Sequence, residues 1–355
     1  MNTQPPTQAR ILRETAEAII GSLPSRWSGR AVGEPTTAGA RADLLIRIES
    51  PAGEELRLVL EARRALEPRE VEAAASGARS VAAFTGGTPV ITSGYLSPRT
   101  RDLLADEDIG FADTTGNIRI ASDSPGLFIL MTGAQRDPWP RTEGLQSLRG
   151  RGSSRAVRAI VDFAPPFGIR ELAERSGASP ASLSRVVGLL EREALVVRDG
   201  RGPITDVDWQ GVIRRWSGDY DQLRSNTVSW YLAPRGLGDL QQRIPGISLS
   251  VATTGAFAAQ KFDPVAPARS AALYVADPVG VADALDLRET DAGANVILLE
   301  PYDSVVFDRT LQRDGLTTVA ASQLAVDLLT GPGREPSQGE AILQWMKGNE
   351  NVWRA

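Results

Sequence analysis

Apolar and polar positions recur with two different periods along this chain, and the changes of period divide it. Between residues 10 and 22, "RILRETAEAIIGS", the residues Ile11, Leu12, Ala16, Ile19 and Ile20 fall at helical spacing and predict an amphipathic helix. "ADLLIRIES" and "LRLVLEAR" are short apolar runs joined by the turn-forming "PAGEE", which predicts two strands. A helix through "PREVEAAASGARSVAAF" and a strand at "TPVITSG" follow. Next come a helix at "SPRTRDLLADED", capped by Ser97, and a strand–turn–strand at "IGFADTTGNIRI". These make a mixed α/β layer that ends near "SPGLFILMTG". The stretch 134–153 carries Pro, Gly and Arg without periodicity and predicts a linker.

From 153 to about 210 the apolar positions predict short helices: "SSRAVRAIVDF", "GIRELAERSG" and "PASLSRVVGLLEREAL". "LVVRDGRGPITDV" then reads as strand, turn and strand, a hairpin. Beyond 212 the pattern alternates again. Strands are predicted at "WYLA", "ISLSVA", "ALYVA", "NVILLEP" and "SVVFDR", and helices at "GLGDLQQRI", "TGAFAAQKF", "VGVADAL", "TTVAASQLAVDLLT" and "SQGEAILQWMKG". The expected architecture is therefore α/β and multidomain. It comprises an α/β domain over 1–135, a linker over 136–152, a winged helix-turn-helix over 153–211 and a C-terminal α/β domain over 212–355.

The central segment invites a functional reading because its turn has the required chemistry. In a helix-turn-helix the connection is tight, and the following helix opens with small polar residues that approach base edges. Gly177 stands where a left-handed residue ends the preceding helix, Ser179 is placed to cap the next one, and Pro180 opens it. With Leu183, Val186, Val187 and Leu190 turned inward, Ala181, Ser182, Ser184 and Arg185 face outward. Arg151, Arg155, Arg158, Arg175, Arg185, Arg198 and Arg201 concentrate positive charge around them, with "RDGR" at the hairpin tip. Arg155, Ser179, Ala181, Ser182, Ser184, Arg185, Arg198 and Arg201 are thus the candidate contacts to double-stranded DNA. The plainer alternative is a small helical domain whose solvated arginines serve protein contact.

Composition narrows the chemistry. The chain of 355 residues has neither Cys nor His, so disulfides, thiolate and imidazole catalysis and zinc sites of the usual ligand type are excluded. Carboxylates, Lys, Tyr and Ser/Thr remain, and a metal would have to be a hard, oxygen-bound ion such as magnesium. The net charge of −5 argues against an all-basic coat, yet leaves room for one basic face on an acidic body. No apolar run approaches the length of a membrane span and no signal-peptide layout opens the chain, so the expected location is the cytoplasm.

Several stretches carry a family resemblance: "YLSPRTRDLLADEDIGFADTTGNIRI", the three-helix and hairpin segment, "TTGAFAAQKF", "GANVILLEPYDSVVF" and "DGLTTVAASQLAVDLLTGPGRE". Together they resemble the AbiEi family of antitoxins and transcriptional regulators of type IV toxin–antitoxin systems, from about residue 40 onward. The resemblance implies a DNA-binding repressor of its own operon that recognises repeats in an operator, with possible self-association on DNA. It also implies a neighbouring gene for a nucleotidyltransferase-like toxin, which need not touch the antitoxin. No enzymatic activity and no cofactor are expected.

The N-terminal domain resembles something else. Its order of helix, two strands, helix and strand, with Asp43 at the start of one strand and Glu61 to Arg63 ending the next, is similar to the restriction-endonuclease-like core. Such nucleases hold magnesium with an Asp and the Glu of an E-x-K triplet. Here Arg63 stands in place of the Lys, and a guanidinium keeps the charge but not the readily lost proton. Asp43, Glu61 and Arg63 are therefore candidates for a vestigial catalytic site, with Asp43 and Glu61 as a weak metal pair. An active magnesium-dependent endonuclease targeted by the winged helix and a protein-binding adaptor remain as alternative functions, and the three charges can also be a chance pairing on core strands.

Three other stretches have weaker chemistry. "DTTGN" (113–117) suits a tight turn better than a metal or phosphate loop. "GPGRE" (331–335) lacks the Lys-Ser/Thr of a P-loop and reads as a helix stop. Asp303 and Asp308 flank "SVVF", and their spacing on a strand would send them to opposite faces.

Overall fold

The computed structural model describes residues 4–33, 36–37, 40–140, 144–262 and 268–355. The chain is a mixed α/β protein whose contacts separate into two compact units, Met1–Glu143 with Arg192–Ala194, and Gly144–Glu191 with Leu195–Ala355.

In the first unit, helix α1 (Gln8–Gly21) is followed by strands β1 (Ser28–Val32), β2 (Thr36–Thr37), β3 (Ala40–Arg41), β4 (Leu44–Glu49) and β5 (Glu55–Arg63). Then come α2 (Val71–Thr85), β6 (Thr88–Ser93), α3 (Pro98–Asp106), β7 (Gly110–Asp113), β8 (Ile118–Asp123) and β9 (Gly126–Met131). Seven of the strands form one sheet in the order β1-β4-β5-β6-β7-β8-β9. The β5–β6 and β6–β7 pairs are parallel and the others antiparallel. Both sheet faces are covered. Ala16 and Ile19 of α1 pack on Ile46, Ile48, Leu58, Leu60 and Val90, while Val71, Ala75 and Ala78 of α2 and Leu104 of α3 pack on Ile91 and Phe111. Burial on both faces at its centre explains the apolar triplet Leu58, Val59 and Leu60 of β5, while towards its ends polar and apolar residues alternate. Strand β1 was not apparent from the sequence, since "SGRAV" exposes most of its residues at the sheet edge.

The second unit begins with three helices, α4 (Arg151–Asp162), α5 (Ile169–Ser176) and α6 (Pro180–Arg192), and the strand pair β10 (Val196–Arg198) and β11 (Ile204–Val207). It continues through α7 (Trp209–Ser217), α8 (Gln222–Ser225), β12 (Thr227–Leu232), α9 (Gly236–Arg243), β13 (Val251–Thr254), α10 (Gly255–Ala259), β14 (Ala271–Val275), α11 (Pro278–Ala284), β15 (Arg288–Glu289) and β16 (Val296–Glu300). Strands β17 (Leu311–Arg313) and β18 (Leu316–Thr318) and helices α12 (Ala321–Leu329), α13 (Glu335–Gly348) and α14 (Glu350–Trp353) complete it. Its sheet runs β15-β12-β16-β14-β13-β18-β17 and mixes parallel and antiparallel pairs.

No division falls at residue 212. Helix α7 straddles that point, and its Val212, Ile213 and Trp216 join one hydrophobic core with Val157 and Ile160 of α4, Leu190 of α6 and Leu324 and Leu328 of α12. The expected linker is likewise held over its second part: Leu148 is fully buried, and its N–H donates to Asp219 Oδ2 at 2.7 Å. Residues 141–143 of that stretch lie outside the described residues. "SVVF" is a 3-10 turn (Ser304–Phe307) and not a strand, because Asp303 accepts from Val305 N at 2.8 Å and caps it.

Candidate nucleic-acid interface

Helix α6 is amphipathic as its spacing required. Leu183, Val186, Val187 and Leu190 are buried, Ala181, Ser184 and Arg185 are exposed, and Ser182 is half-buried. Its start is defined by local chemistry. Gly177 ends α5 in the left-handed region at φ 67°, and Ser179 Oγ accepts the N–H of Ser182 at 3.1 Å. The free amides of the first turn and the helix dipole make this end favourable for an anion. Arg185 folds back so that its Nε donates to Ala181 O at 3.3 Å, leaving the rest of the guanidinium in solvent. Helix α4 comes close by: a Cβ on Gly152 would lie 2.8 Å from Ser182 Oγ.

The strand pair β10–β11 carries the other candidate residues, Arg198 and Arg201. Arg198 does not project from it. Its guanidinium curls over the turn and donates to Arg201 O at 2.7 Å and Gly202 O at 3.0 Å, so it shapes the tip and leaves Arg201 as the exposed cation there.

The seven arginines expected to form one basic cluster separate into different roles. Arg151, Arg185 and Arg201 are exposed. Arg175 lies over the ring of Phe163, 4.3 Å from its centroid, and pairs with Glu171. Arg155 is turned to the body of the unit, where Asp303 and Ser304 take its donors at 2.9–3.1 Å. Arg158 is 2% exposed and belongs to the core. Three of the seven are therefore paired with carboxylates that lie elsewhere in the fold or one turn away, Asp303, Asp162 and Glu171.

Arg158 opens a polar network that the sequence reading missed. Its Nε donates to Asp162 Oδ2 at 2.8 Å, and its two terminal nitrogens donate to Val305 O at 3.0 Å and Asp308 O at 2.9 Å. Ser322 on α12 donates to the other oxygen of Asp162. One layer deeper, Asp327 accepts from Tyr220, Tyr274, Gln323 and Thr254. Burial pushes its carboxyl up to about 6 even with four donors drawing it down. The available signal was an Arg and an Asp four residues apart on the apolar side of α4, which marks a buried pair. Asp303 and Asp308 share no site, since Asp303 caps a turn and Asp308 offers its carbonyl.

In the first unit, β4 and β5 run antiparallel with Leu44 opposite Leu60, which brings Asp43 level with Glu61. Asp43 Oδ2 accepts from Ala62 N at 2.9 Å and Gln8 Nε2 at 3.1 Å. Glu61 pairs with Arg63 at 3.5 Å. Burial pushes the Glu61 carboxyl up, Arg63 pulls it back, and the charge on Asp43 adds to the rise. The three residues are thus brought together, with the guanidinium already engaged by the carboxylate. Among the described residues no group of three or more acidic side chains is positioned to hold a metal ion.

The "DTTGN" stretch behaves as a turn. Asp113 is buried and accepts from Leu96 N, Thr115 N, Thr115 Oγ1, Asn117 N and Asn117 Nδ2, so its lone pairs are spent inside the loop. "GPGRE" lies in the connection from α12 to α13, with Gly333 in the left-handed region at φ 65°. No helix among the described residues is long and apolar enough to cross a membrane.

No family model, curated protein or solved structure matches the chain.

Proposed function

We propose that the chain is a DNA-binding transcriptional regulator of antitoxin type, in which residues 153–211 act as a winged helix-turn-helix. The observation that carries this reading is the exposed leading edge of α6. Ala181, Ser184 and Arg185 stand in solvent beside a Ser179-capped helix end, and Arg201 is exposed at the tip of the adjoining strand pair. Small polar residues allow a helix to enter the major groove, Arg185 suits a guanine edge, and Arg201 suits phosphate. Repression of its own operon and a nucleotidyltransferase-like toxin encoded nearby belong to the same proposal and rest on the family resemblance. The first unit is proposed as a restriction-endonuclease-like scaffold without nuclease activity, supported by the Glu61–Arg63 pair where a Lys is wanted.

Fluorescence anisotropy with a labelled duplex from upstream of the coding sequence tests the reading. Affinity should fall by orders of magnitude between about 50 and 200 mM salt, because phosphate contacts release counterions. Arg185→Ala should weaken binding by about 1–3 kcal/mol and relax preference at one base position. Absence of binding at low salt, or unchanged affinity in an Arg185→Ala, Arg201→Ala double variant, overturns it.

A further inference from the structure

Strands β5, β6 and β7 are parallel and end together at Arg63, Ser93 and Asp113. Loops diverge at the carboxyl ends of parallel strands, and α/β sheets bind small molecules in the crevice left there. In this protein a cavity of about 380 Å³ opens at that end, lined among others by Pro6, Thr7, Arg64, Tyr95, Asp137 and Trp139. That size lies within the usual range for small-molecule sites, about 300–1,000 Å³. One wall exists because residue 94 is glycine: a Cβ there would sit 3.0 Å from Pro6 Cγ and push the N-terminal segment off.

The lining has a distinct chemistry. Tyr95 and Trp139 are half-buried, and with the buried Pro6 they offer flat apolar surface. Trp139 is anchored through its backbone, whose N–H donates to Asp137 Oδ1 at 2.8 Å. Arg63 is paired with Glu61, but its neighbour Arg64 has no ion pair and the Tyr95 hydroxyl no hydrogen bond among the described residues. Two donors are thus open beside aromatic walls. Asp137, in the same lining, disfavours a ligand of high negative charge.

We propose that this cavity binds a small planar aromatic ring carrying a single acidic group, phosphate or carboxylate, with the ring against Tyr95, Trp139 and Pro6 and the acid on Arg64. The site is independent of the DNA-binding reading, being built wholly within the first unit.

Calorimetric titration of the full chain tests it with two sets of probes: the four ribonucleoside 5′-monophosphates, and salicylate with indole-3-acetate. Saturable binding of at least one probe is expected, and which set binds tells phosphate from carboxylate. Arg64→Ala and Trp139→Ala should each weaken it tenfold or more, while Arg288→Ala, in the second unit, leaves it unchanged. Thermal melts of the variants check that the fold is kept. Inorganic phosphate and adenosine, each offering half of the ligand, should bind at least tenfold more weakly. No saturable binding at 1 mM of any probe, binding indifferent to both substitutions, or inorganic phosphate binding as tightly as the best probe overturns the proposal.

Discussion

Arg158 and Asp162, one turn apart on α4, form an ion pair of 2.8 Å in which both side chains are almost wholly buried. Removing one member of such a pair strands a charge in a place without water. Arg158→Ala should therefore cost about 3–5 kcal/mol in urea unfolding. Arg158→Met with Asp162→Leu should recover part of that loss, though not all, because Val305 O and Asp308 O lose their donor. A single variant within 1 kcal/mol of wild type would show that the pair is not closed from solvent.

Stability should fall as pH rises from 4 to 7 on account of two carboxyls in the second unit. Burial pushes Asp327 up to about 6 and Glu335 up to about 7, against ordinary values of 3.8 and 4.5. Between its ordinary and its raised value each group keeps a proton in the folded chain that the unfolded chain has lost. The stabilising effect of that retained proton is relative: unfolding becomes easier through the window and the cost is constant above it. For Asp327 the difference corresponds to about 3 kcal/mol. Unfolding curves from pH 4 to 8 should show that Asp327→Asn flattens the dependence between 4 and 6, and Glu335→Gln between 4.5 and 7. An unaltered slope in both variants would contradict the assignment.

Arg155 and Arg201 should part company in a salt titration of DNA binding. Arg201→Ala should reduce the slope of log affinity against log salt by about one phosphate contact. Arg155→Ala should leave that slope alone, because its donors are held by Asp303 and Ser304. Its effect should be a loss of about 1–3 kcal/mol in stability, as the buried Asp303 loses its partner. Equal slopes for Arg201→Ala and wild type would remove the hairpin tip from the interface.

With magnesium or manganese the protein should leave supercoiled and linear DNA intact, since the group beside Glu61 is a guanidinium that does not release a proton. Arg63→Lys restores a titratable ammonium, and nicking confined to that variant is the expected sign of a lapsed catalytic site. Metal-dependent cleavage by wild type that disappears in Asp43→Ala would instead make the chain a nuclease.

What could be read in advance was whatever local spacing decides. The buried face of α6, the left-handed Gly177 and the Ser179 cap each depend on residues a few positions apart, and all three are found in the structure. The fate of Arg155 was not legible, because its partner Asp303 stands 148 residues away, and for Arg158 only the Asp162 pair was legible, its acceptor Val305 O being 147 residues away. Arg198 differs, since its acceptors Arg201 O and Gly202 O are only three and four residues on, and the register shift beside it in β10 is not visible in the spacing of residues. Asp43 and Glu61 come level because β4 and β5 are an antiparallel pair joined by a short turn, which fixes register.

Helix α4 also sets an order of events during synthesis. Its Val161 precedes by 193 residues Arg354, whose Nε donates to Val161 O at 3.1 Å, and its Asp162 precedes Ser322, which donates to it, by 160. Ala355 then closes on the end of α4, its N–H donating to Asp162 O at 3.0 Å and its carbonyl accepting from Ala164 N at 2.6 Å. Before those residues are made, α5, α6 and α7 already cover much of the apolar face of α4, but Asp162 and Val161 still lack Ser322 and Arg354. The first unit, whose sheet is largely of strands adjacent in sequence, has its residues together by 194, whereas the core of the second draws on residues as far apart as Leu148 and Trp353. A stall between residues 220 and 320 would therefore leave the first unit whole and α4 packed on α5, α6 and α7, but without the partners that α12 and Arg354 bring.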